Sequence, residues 1–392
     1  MAQRDESQKM CSCRGLTPDY EDQEMKFPVE ELLATLALLK VPGLGARRRY
    51  CLVDCFGGAS AVFAAPRDKI ETILGPGHCA LPFLQKGLDG IDVGSEINWI
   101  EKPGHHFIPL HHPLFPPLLK QIPDPPVGLF ARGDLSRLFK PQVAIVGSRR
   151  GTPGGQDVAR TLAAGLVERG FSVISGLASG IDGAAHWGAI DHNGSTVAVT
   201  AAGVDRIYPA AHRRLADKIS SCGALLTEYS LGIPPRREHF PARNRLISGL
   251  ALGVVVVEAA SRSGSLITAR LGGEQGREVF AVPGPIRSPL SAGCHQLIKQ
   301  GAKLVEGIED IVDELPRFKT PPASRDPIQE QEPGSVVADE VLVGSIDFTP
   351  TPLEVIVDRS GLTDQQLSSI LLGMELRGLI AATTGGGYQR IK

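Results

Sequence analysis

The residues best equipped for chemistry stand together at Phe240-Pro-Ala-Arg-Asn-Arg-Leu-Ile-Ser248, where Arg243 and Arg245 flank Asn244, and Arg236, Arg237 and His239 lie just upstream. The segment predicts a helix from Asn244 to Leu252. A helix start offers unpaired N–H groups and partial positive charge, so arginines gathered there make an anion site, phosphate above all. An isolated charge run is more often a solvated turn. What raises this one above that is its company.

Four further loops share its character. Gly147-Ser148-Arg149-Arg150-Gly151-Thr152-Pro153 follows an apolar run. Thr152 and Pro153 make an N-cap and N1 pair, which puts Ser148 and Arg149 in an anion cradle just before a helix N-terminus. Ser175-Gly176-Leu-Ala-Ser179-Gly180-Ile-Asp182, with His186 beyond, imitates a Ser-Asp-His hydrolase. It has no Gly-x-Ser-x-Gly elbow, however, and Ser179 with Asp182 has the spacing of a capping box. His186 is expected to make a local structural contact, and no catalytic residue is assigned. After Glu258, the run Ser261-Arg262-Ser263-Gly264-Ser265 brings small hydroxyl side chains to another helix start, and Pro283-Gly284-Pro285-Ile286 closes the series. One such loop binds one phosphate, whereas a row of them with arginines can follow a nucleic-acid backbone. There is no Gly-Lys dipeptide and hence no Walker A loop, and no Gly-x-Gly-x-x-Gly follows the first apolar run, so ATP hydrolysis and NAD chemistry lose their usual signatures.

The formal net charge is −2 over 392 residues, so a nucleic-acid partner requires positive charge concentrated in one place. Seven cysteines without a Cys-x-x-Cys pair do not suggest a disulfide framework, and a reducing cytoplasm fits. Cys51 and Cys55 sit four apart on an expected helix without neighbouring histidines, and the adjacent pairs His105-His106 and His111-His112 point to opposite faces of extended chain. Neither metal nor cofactor is expected. No run of eighteen apolar residues and no signal-peptide pattern is present, so no membrane role is expected.

These loops need a scaffold. Residues 1–27 are polar and expected to be disordered, and 28–103 read as a small helical domain. In it, Leu32, Leu33, Leu36 and Leu39 recur at helical spacing before the break Val41-Pro-Gly-Leu-Gly45, and a second helix runs from Ala46 to Phe56. A Pro-Gly-Leu-Gly turn between helices is similar to helix-hairpin-helix units, though a docking domain is the safer reading. Residues 104–316 hold six short apolar runs separated by helical stretches: 143–147, 172–175, 196–200, 224–227, 254–258 and 278–282. That pattern is α/β: a Rossmann-like, doubly wound, mainly parallel sheet, with ligands expected beyond the carboxyl ends of its strands. Residues 317–334 read as a linker, and 335–392 as a winged-helix domain. Its helices are placed near Val336–Val343, Leu353–Arg359 and Asp364–Arg377, with a Thr363/Gln366 capping box and a helix-ending Gly378. The third helix opens Asp364-Gln365-Gln366, which suits a docking module better than a DNA reader.

Together, Ile145-Val-Gly-Ser-Arg149, Ser175-Gly-Leu-Ala-Ser-Gly-Ile-Asp182 with Ala185-His186, Tyr208-Pro209, Phe240-Pro-Ala-Arg-Asn-Arg245, Glu258-Ala with Arg262-Ser-Gly-Ser-Leu-Ile-Thr-Ala269, Gly276-Arg-Glu-Val-Phe-Ala-Val-Pro-Gly284 and Leu297-Ile-x-x-Gly-Ala302 resemble the DNA-processing protein A family (DprA, also called Smf). The likeness runs from about His111 to Leu315, with one departure: Phe115-Pro116 stands where the family commonly has Tyr-Pro. The resemblance implies a bacterial cytoplasmic protein, not an enzyme, that binds and protects single-stranded DNA and helps load the RecA recombinase onto it in natural transformation. It also implies a homodimer formed through the Rossmann-like domain, and a helical N-terminal and a winged-helix C-terminal domain as in longer members. The expected strand-binding residues are Gly147, Ser148, Arg149, Gly176, Arg237, Phe240, Arg243, Asn244, Arg245, Ser263, Gly264 and Ser265. The competing expectation is an enzyme similar to the nucleoside-monophosphate phosphoribohydrolases. Their Pro-Gly-Gly-x-Gly-Thr-x-x-Glu motif is missing from Glu258–Ala269.

Overall fold

Continuous β-branched runs such as Val143-Ala-Ile-Val and Val254-Val-Val-Val have no polar face to turn to water, and they fold as the centre of a sheet covered on both sides. The computed structural model describes residues 27–315, 346–360, 367, 370–371, 373–375, 378–383 and 387–391. Its strands are β1 His105–Pro109, β2 Gly128–Gly133, β3 Gln142–Gly147, β4 Ser172–Gly176, β5 Thr196–Val199, β6 Ala224–Thr227, β7 Gly253–Val257, β8 Glu278–Ala281 and β9 Lys303–Leu304. They form one sheet in the order β1-β2-β6-β5-β4-β3-β7-β8-β9, parallel from β6 to β9, with β1 and β2 running antiparallel at one edge. The chain winds outward from β3 to β6, then returns to the other side of β3 as β7, so the order reverses between β3 and β7. Ligands of doubly wound sheets bind at such a reversal.

The period-two alternation of the central strands divides the core. Val143, Ile145, Val255 and Val257 pack with Ala159, Leu162 and Ala185 on one face, while Ala144, Val146, Val254 and Val256 pack with Leu246, Ile247 and Ala269 on the other. The covering helices are α7 Pro117–Lys120, α8 Pro153–Glu168, α9 Ile181–Asp191, α10 Arg213–Cys222, α11 His239–Leu250, α12 Gly264–Glu274, α13 Ala292–Lys299 and α14 Glu309–Val312. Upstream, α1 Val29–Lys40, α2 Ala46–Phe56, α3 Ala59–Ala64, α4 Arg67–Leu74, α5 Leu81–Gln85 and α6 Gly94–Ile100 join the second of these cores, where Leu36, Leu38 and Leu52 lie in one cluster with Leu129 and Phe130. Trp99 of α6 stacks on His105 at 4.1 Å and meets the edge of Phe130 at 5.9 Å.

Each of the six expected strands is present within a residue at either end. The edge strands β1 and β2 and the two-residue β9 add to them; β1 ends in Pro109 and begins with two histidines, which hides it from an apolar-run search. The helix predicted over Asn244–Leu252 instead spans His239–Leu250. Pro241 falls in its first turn, where a helix needs no N–H from it, so the proline does not postpone the start.

At the C-terminal end, β10 Thr351–Pro352, α15 Leu353–Ser360, β11 Ile380–Ala382 and β12 Gly387–Arg390 surround a small core of Ile346, Ile356, Leu371, Met374 and Ile380, with strand order β10-β12-β11. Gly378 has φ +69°, the conformation expected of a helix-ending glycine. The helix predicted at 336–343, the Thr363/Gln366 box and Asp364–Gln366 lie outside the described residues. Among the described residues no helix is long and apolar enough to cross a membrane.

Candidate nucleic-acid interface

The phase of α11 sorts its side chains. Phe240, Arg243, Asn244 and Ile247 recur at i, i+3, i+4 and i+7, and all four line a cleft of about 750 Å3 beyond the carboxyl ends of β3 and β7. The loop after β3 brings Gly147, Ser148, Arg149 and Arg150 to the opposite wall, and the start of α12 brings Arg262, Ser263, Gly264 and Ser265 to its end. Arg237 stands at the rim, just before α11. The Arg149 guanidinium lies 4.9 Å from the centre of the Phe240 ring, within cation–π range. Tyr208, half exposed, meets Phe240 edge to face at 5.9 Å. A recess of about 240 Å3 continues the cleft past Tyr208 and Pro209 toward Thr200 and Ala201.

Arg245 does not face this cleft. Two positions beyond Arg243 it lies roughly 200° round the helix, where its guanidinium bonds Glu228 at 2.5 Å and Asp124 at 3.2 Å with 7% of the side chain exposed. The expected phosphate contact at Arg245 is therefore replaced by a buried ion pair. Neither arginine stands at a helix start, since α11 begins four residues before Arg243.

The helix N-terminus after β3 is also not open. Thr152 caps α8 as expected, accepting from Gly155 N at 3.0 Å. The carboxylate of Glu258, however, accepts from Thr152 N at 2.7 Å and from the Thr152 hydroxyl at 2.6 Å, while the Glu258 carbonyl accepts from Ser148 N at 2.7 Å. Glu258 adopts φ +52°, an uncommon conformation for a residue with a side chain, to make all three bonds. The positive pole of α8 is thus neutralised from within, and the loop Gly147–Gly151 is clamped at both ends. The positive charge left open to the cleft is that of the arginines.

Beneath the cleft, Gly176 fits only because it lacks a side chain: an added Cβ would sit 2.6 Å from Asp182 Oδ2 and collide with Arg243. Burial pushes the Asp182 carboxyl up, against the opposing pull of Arg243 and of the amides of Ala178 and Gly147. Arg243 is 5% exposed, donates to the Val199 carbonyl, and its Nε has no hydrogen-bond partner. Burial lowers its pKa as well. The Ser179–Asp182 capping box does not form: Gly180, at φ +78°, is the N-cap of α9 and Asp182 turns inward. His186 makes the local contact expected of it, bridging Gly176 O at 2.8 Å and the Thr196 hydroxyl at 2.7 Å, and burial lowers its pKa to about 4.

Residues 106–316 match the family model of DNA recombination-mediator protein A, more than half of the chain, and 322–386 match the DprA winged helix domain. The chain belongs to the DprA family. Protein Smf of Escherichia coli strain K12 is 43% identical over 317 residues, covering 80% of this chain and 83% of that one. DNA processing protein DprA of Streptococcus pneumoniae is 48% identical over 197 residues, covering 50% and 70%. The X-ray structure of DprA from Streptococcus pneumoniae superposes with a TM-score of 0.65 at 38% identity, over 72% of this chain and 97% of that one. Rossmann-like sheet and winged-helix tail are both as expected for this family.

Of the twelve expected site residues, Gly147, Ser148, Arg149, Arg237, Phe240, Arg243, Asn244, Ser263, Gly264 and Ser265 line the one cleft of this DprA-family chain, Gly176 lies under its floor, and Arg245 points elsewhere. Of the wall residues not among them, Arg150, Arg262 and Tyr208 are the charged and aromatic ones suited to a nucleic acid. The first two carry a signal in their charge. Tyr208 does not, because its approach to Phe240 depends on how the connection after β5 folds back.

Proposed function

We propose that this chain binds single-stranded DNA in the cleft lined by Arg149 and Phe240, protects it, and helps load RecA recombinase onto it during transformation or homologous recombination. The observation that carries this reading is the meeting of Arg149, Arg150, Arg237, Arg243 and Arg262 with the Phe240–Tyr208 pair in one cleft, on a chain of net charge −2. Phosphates need spaced cations, and unstacked bases need an aromatic platform; their combination suits single strands and tolerates any sequence. A duplex keeps its bases stacked and out of reach of Phe240.

On this reading the protein acts without catalysis or cofactor, in the cytoplasm. Residues 104–316 hold the strand, 28–103 buttress them and 335–392 form a docking module. RecA and a second copy, paired through the sheet domain, are its protein partners. The carboxylates nearest the cleft support the non-catalytic part: Asp182 is buried against Arg243, and Glu258 is occupied at the start of α8. A gel shift with an oligonucleotide of roughly 30 nucleotides, above the usual site sizes, against its duplex tests the reading. Tighter retention of the single strand is expected, and preference for the duplex overturns it. Release of adenine from AMP would return the phosphoribohydrolase alternative.

A further inference from the structure

Among the described residues, a second run of positive charge lies outside the cleft, on α10. Arg213, Arg214, Asp217, Lys218 and Ser221 face outward at i, i+1, i+4, i+5 and i+8, while Leu215, Ala216 and Ile219 are buried against the sheet. Asp217, the one acid on this face, is held at 2.5 Å by Arg132 of β2, which cancels its charge. Arg213, Arg214 and Lys218 have no carboxylate within 4 Å among the described residues. Three unmatched cations on one helix face stand out in a chain whose net charge is −2.

Its place in the fold gives the run a meaning. The recess that continues the cleft is bounded by Tyr208 and Pro209, and a single turn, Ala210–His212, joins them to the first residue of α10. His212 is tied back to the recess by its contact with the Leu177 carbonyl at 3.1 Å. The cations of α10 therefore start one turn beyond the recess that continues the arginine-lined cleft. From Arg213 to Lys218 they extend roughly 7.5 Å at the rise of an α-helix, room for a few phosphates.

We propose that this face of α10 continues the DNA path and holds the backbone of the strand as it leaves the cleft; the inference rests on the single-strand reading above. The face is shallow and all five of its outward residues are polar. It offers none of the buried aromatic or aliphatic anchors on which protein interfaces concentrate their energy. A phosphate backbone asks only for cations at intervals, so a DNA strand fits the face better than an acidic protein does.

The consequence is a dependence on strand length. A short oligonucleotide, about six nucleotides, fills the cleft alone, while one of about 30 also reaches α10. The combined variant Arg213→Ala, Arg214→Ala, Lys218→Ala, all at exposed positions, should lose tenfold or more in affinity for the longer strand and leave the hexamer unaffected. Its salt slope on the longer strand should become shallower by up to about 2. Loss on both strands alike, or on neither, overturns the α10 path while leaving the cleft reading intact. Wild-type protein that retains neither oligonucleotide overturns the cleft reading, and this one with it.

Discussion

Phe240 and Arg149 divide the work of the cleft between a ring and a charge that touch at 4.9 Å. Removing the ring should therefore separate two effects. Phe240→Leu is expected to cost about 1–3 kcal/mol of single-strand affinity, the worth of one stacked base, with the salt slope unchanged; titration of a fluorescent oligonucleotide at several salt concentrations measures both. Arg245 belongs to a different account. Its removal strands Glu228, 7% exposed, without its cation, so Arg245→Ala should lose about 3–5 kcal/mol in urea denaturation while the molecules that remain folded bind DNA normally. Residue type alone makes these two arginines look alike. What separates Arg243 from Arg245 is helix phase, and that became legible only once the helix was seen to begin at His239 rather than Asn244. His186 supplies a pH dependence. Its folded-state pKa, about 4, lies below the ordinary 6.5, so the unfolded chain takes up the proton first and stability falls as pH drops from 6.5 through 4. The loss should reach about 3 kcal/mol by pH 4. Asp182, whose pKa burial raises, works in the opposite sense. In denaturation midpoints between pH 7 and pH 4, His186→Gln should show a shallower decline than the wild type.

The elements owe their positions to patterns of unequal visibility. Strands β3 to β8 could be read directly because most of their residues are apolar and they alternate with helical stretches, whereas β1 and β2 pair antiparallel at the edge as a hairpin outside that alternation. Thr152-Pro153 likewise marks the start of α8 without ambiguity. The partner of that helix end was not legible: Glu258 lies 106 residues away, and only the pairing of β3 with β7 brings it there. Its role can be tested by the sign of an effect. Deleting a carboxylate beside a phosphate site should tighten binding if charge alone mattered. Because the Glu258 carboxylate holds the Thr152 end of the Arg149 loop, while its main-chain carbonyl still accepts from Ser148 N after the substitution, Glu258→Ala should instead weaken single-strand binding and lower stability by about 1–2 kcal/mol through the lost cap. Tighter binding in a calorimetric titration would show that the clamp is immaterial.

For the molecule as a whole, the reversal of strand order between β3 and β7 explains why residues from six separate stretches of sequence converge, and why the cleft lies at that end of the sheet. On the far side of the clamped loop, Phe348, Gln389 and Arg390 of the winged-helix region border a space of about 290 Å3 shared with Thr152 and Glu258, so the two regions meet at the start of α8. The sequence shows that both regions exist, but a contact between surfaces so far apart in the chain leaves no local pattern. Net charge is equally uninformative by itself, since −2 overall conceals the five arginines of the cleft. The claim on which the account turns is that the exposed arginines among them, Arg149, Arg150, Arg237 and Arg262, and not Arg245, hold the phosphates. It is tested most directly by the salt dependence of single-strand affinity for the wild type and for Arg149→Ala combined with Arg237→Ala. The double variant should bind more weakly on every sequence, with a slope of log affinity against log salt shallower by about 1.4, or 0.7 for each lost contact. A slope and affinity equal to the wild type's would contradict it.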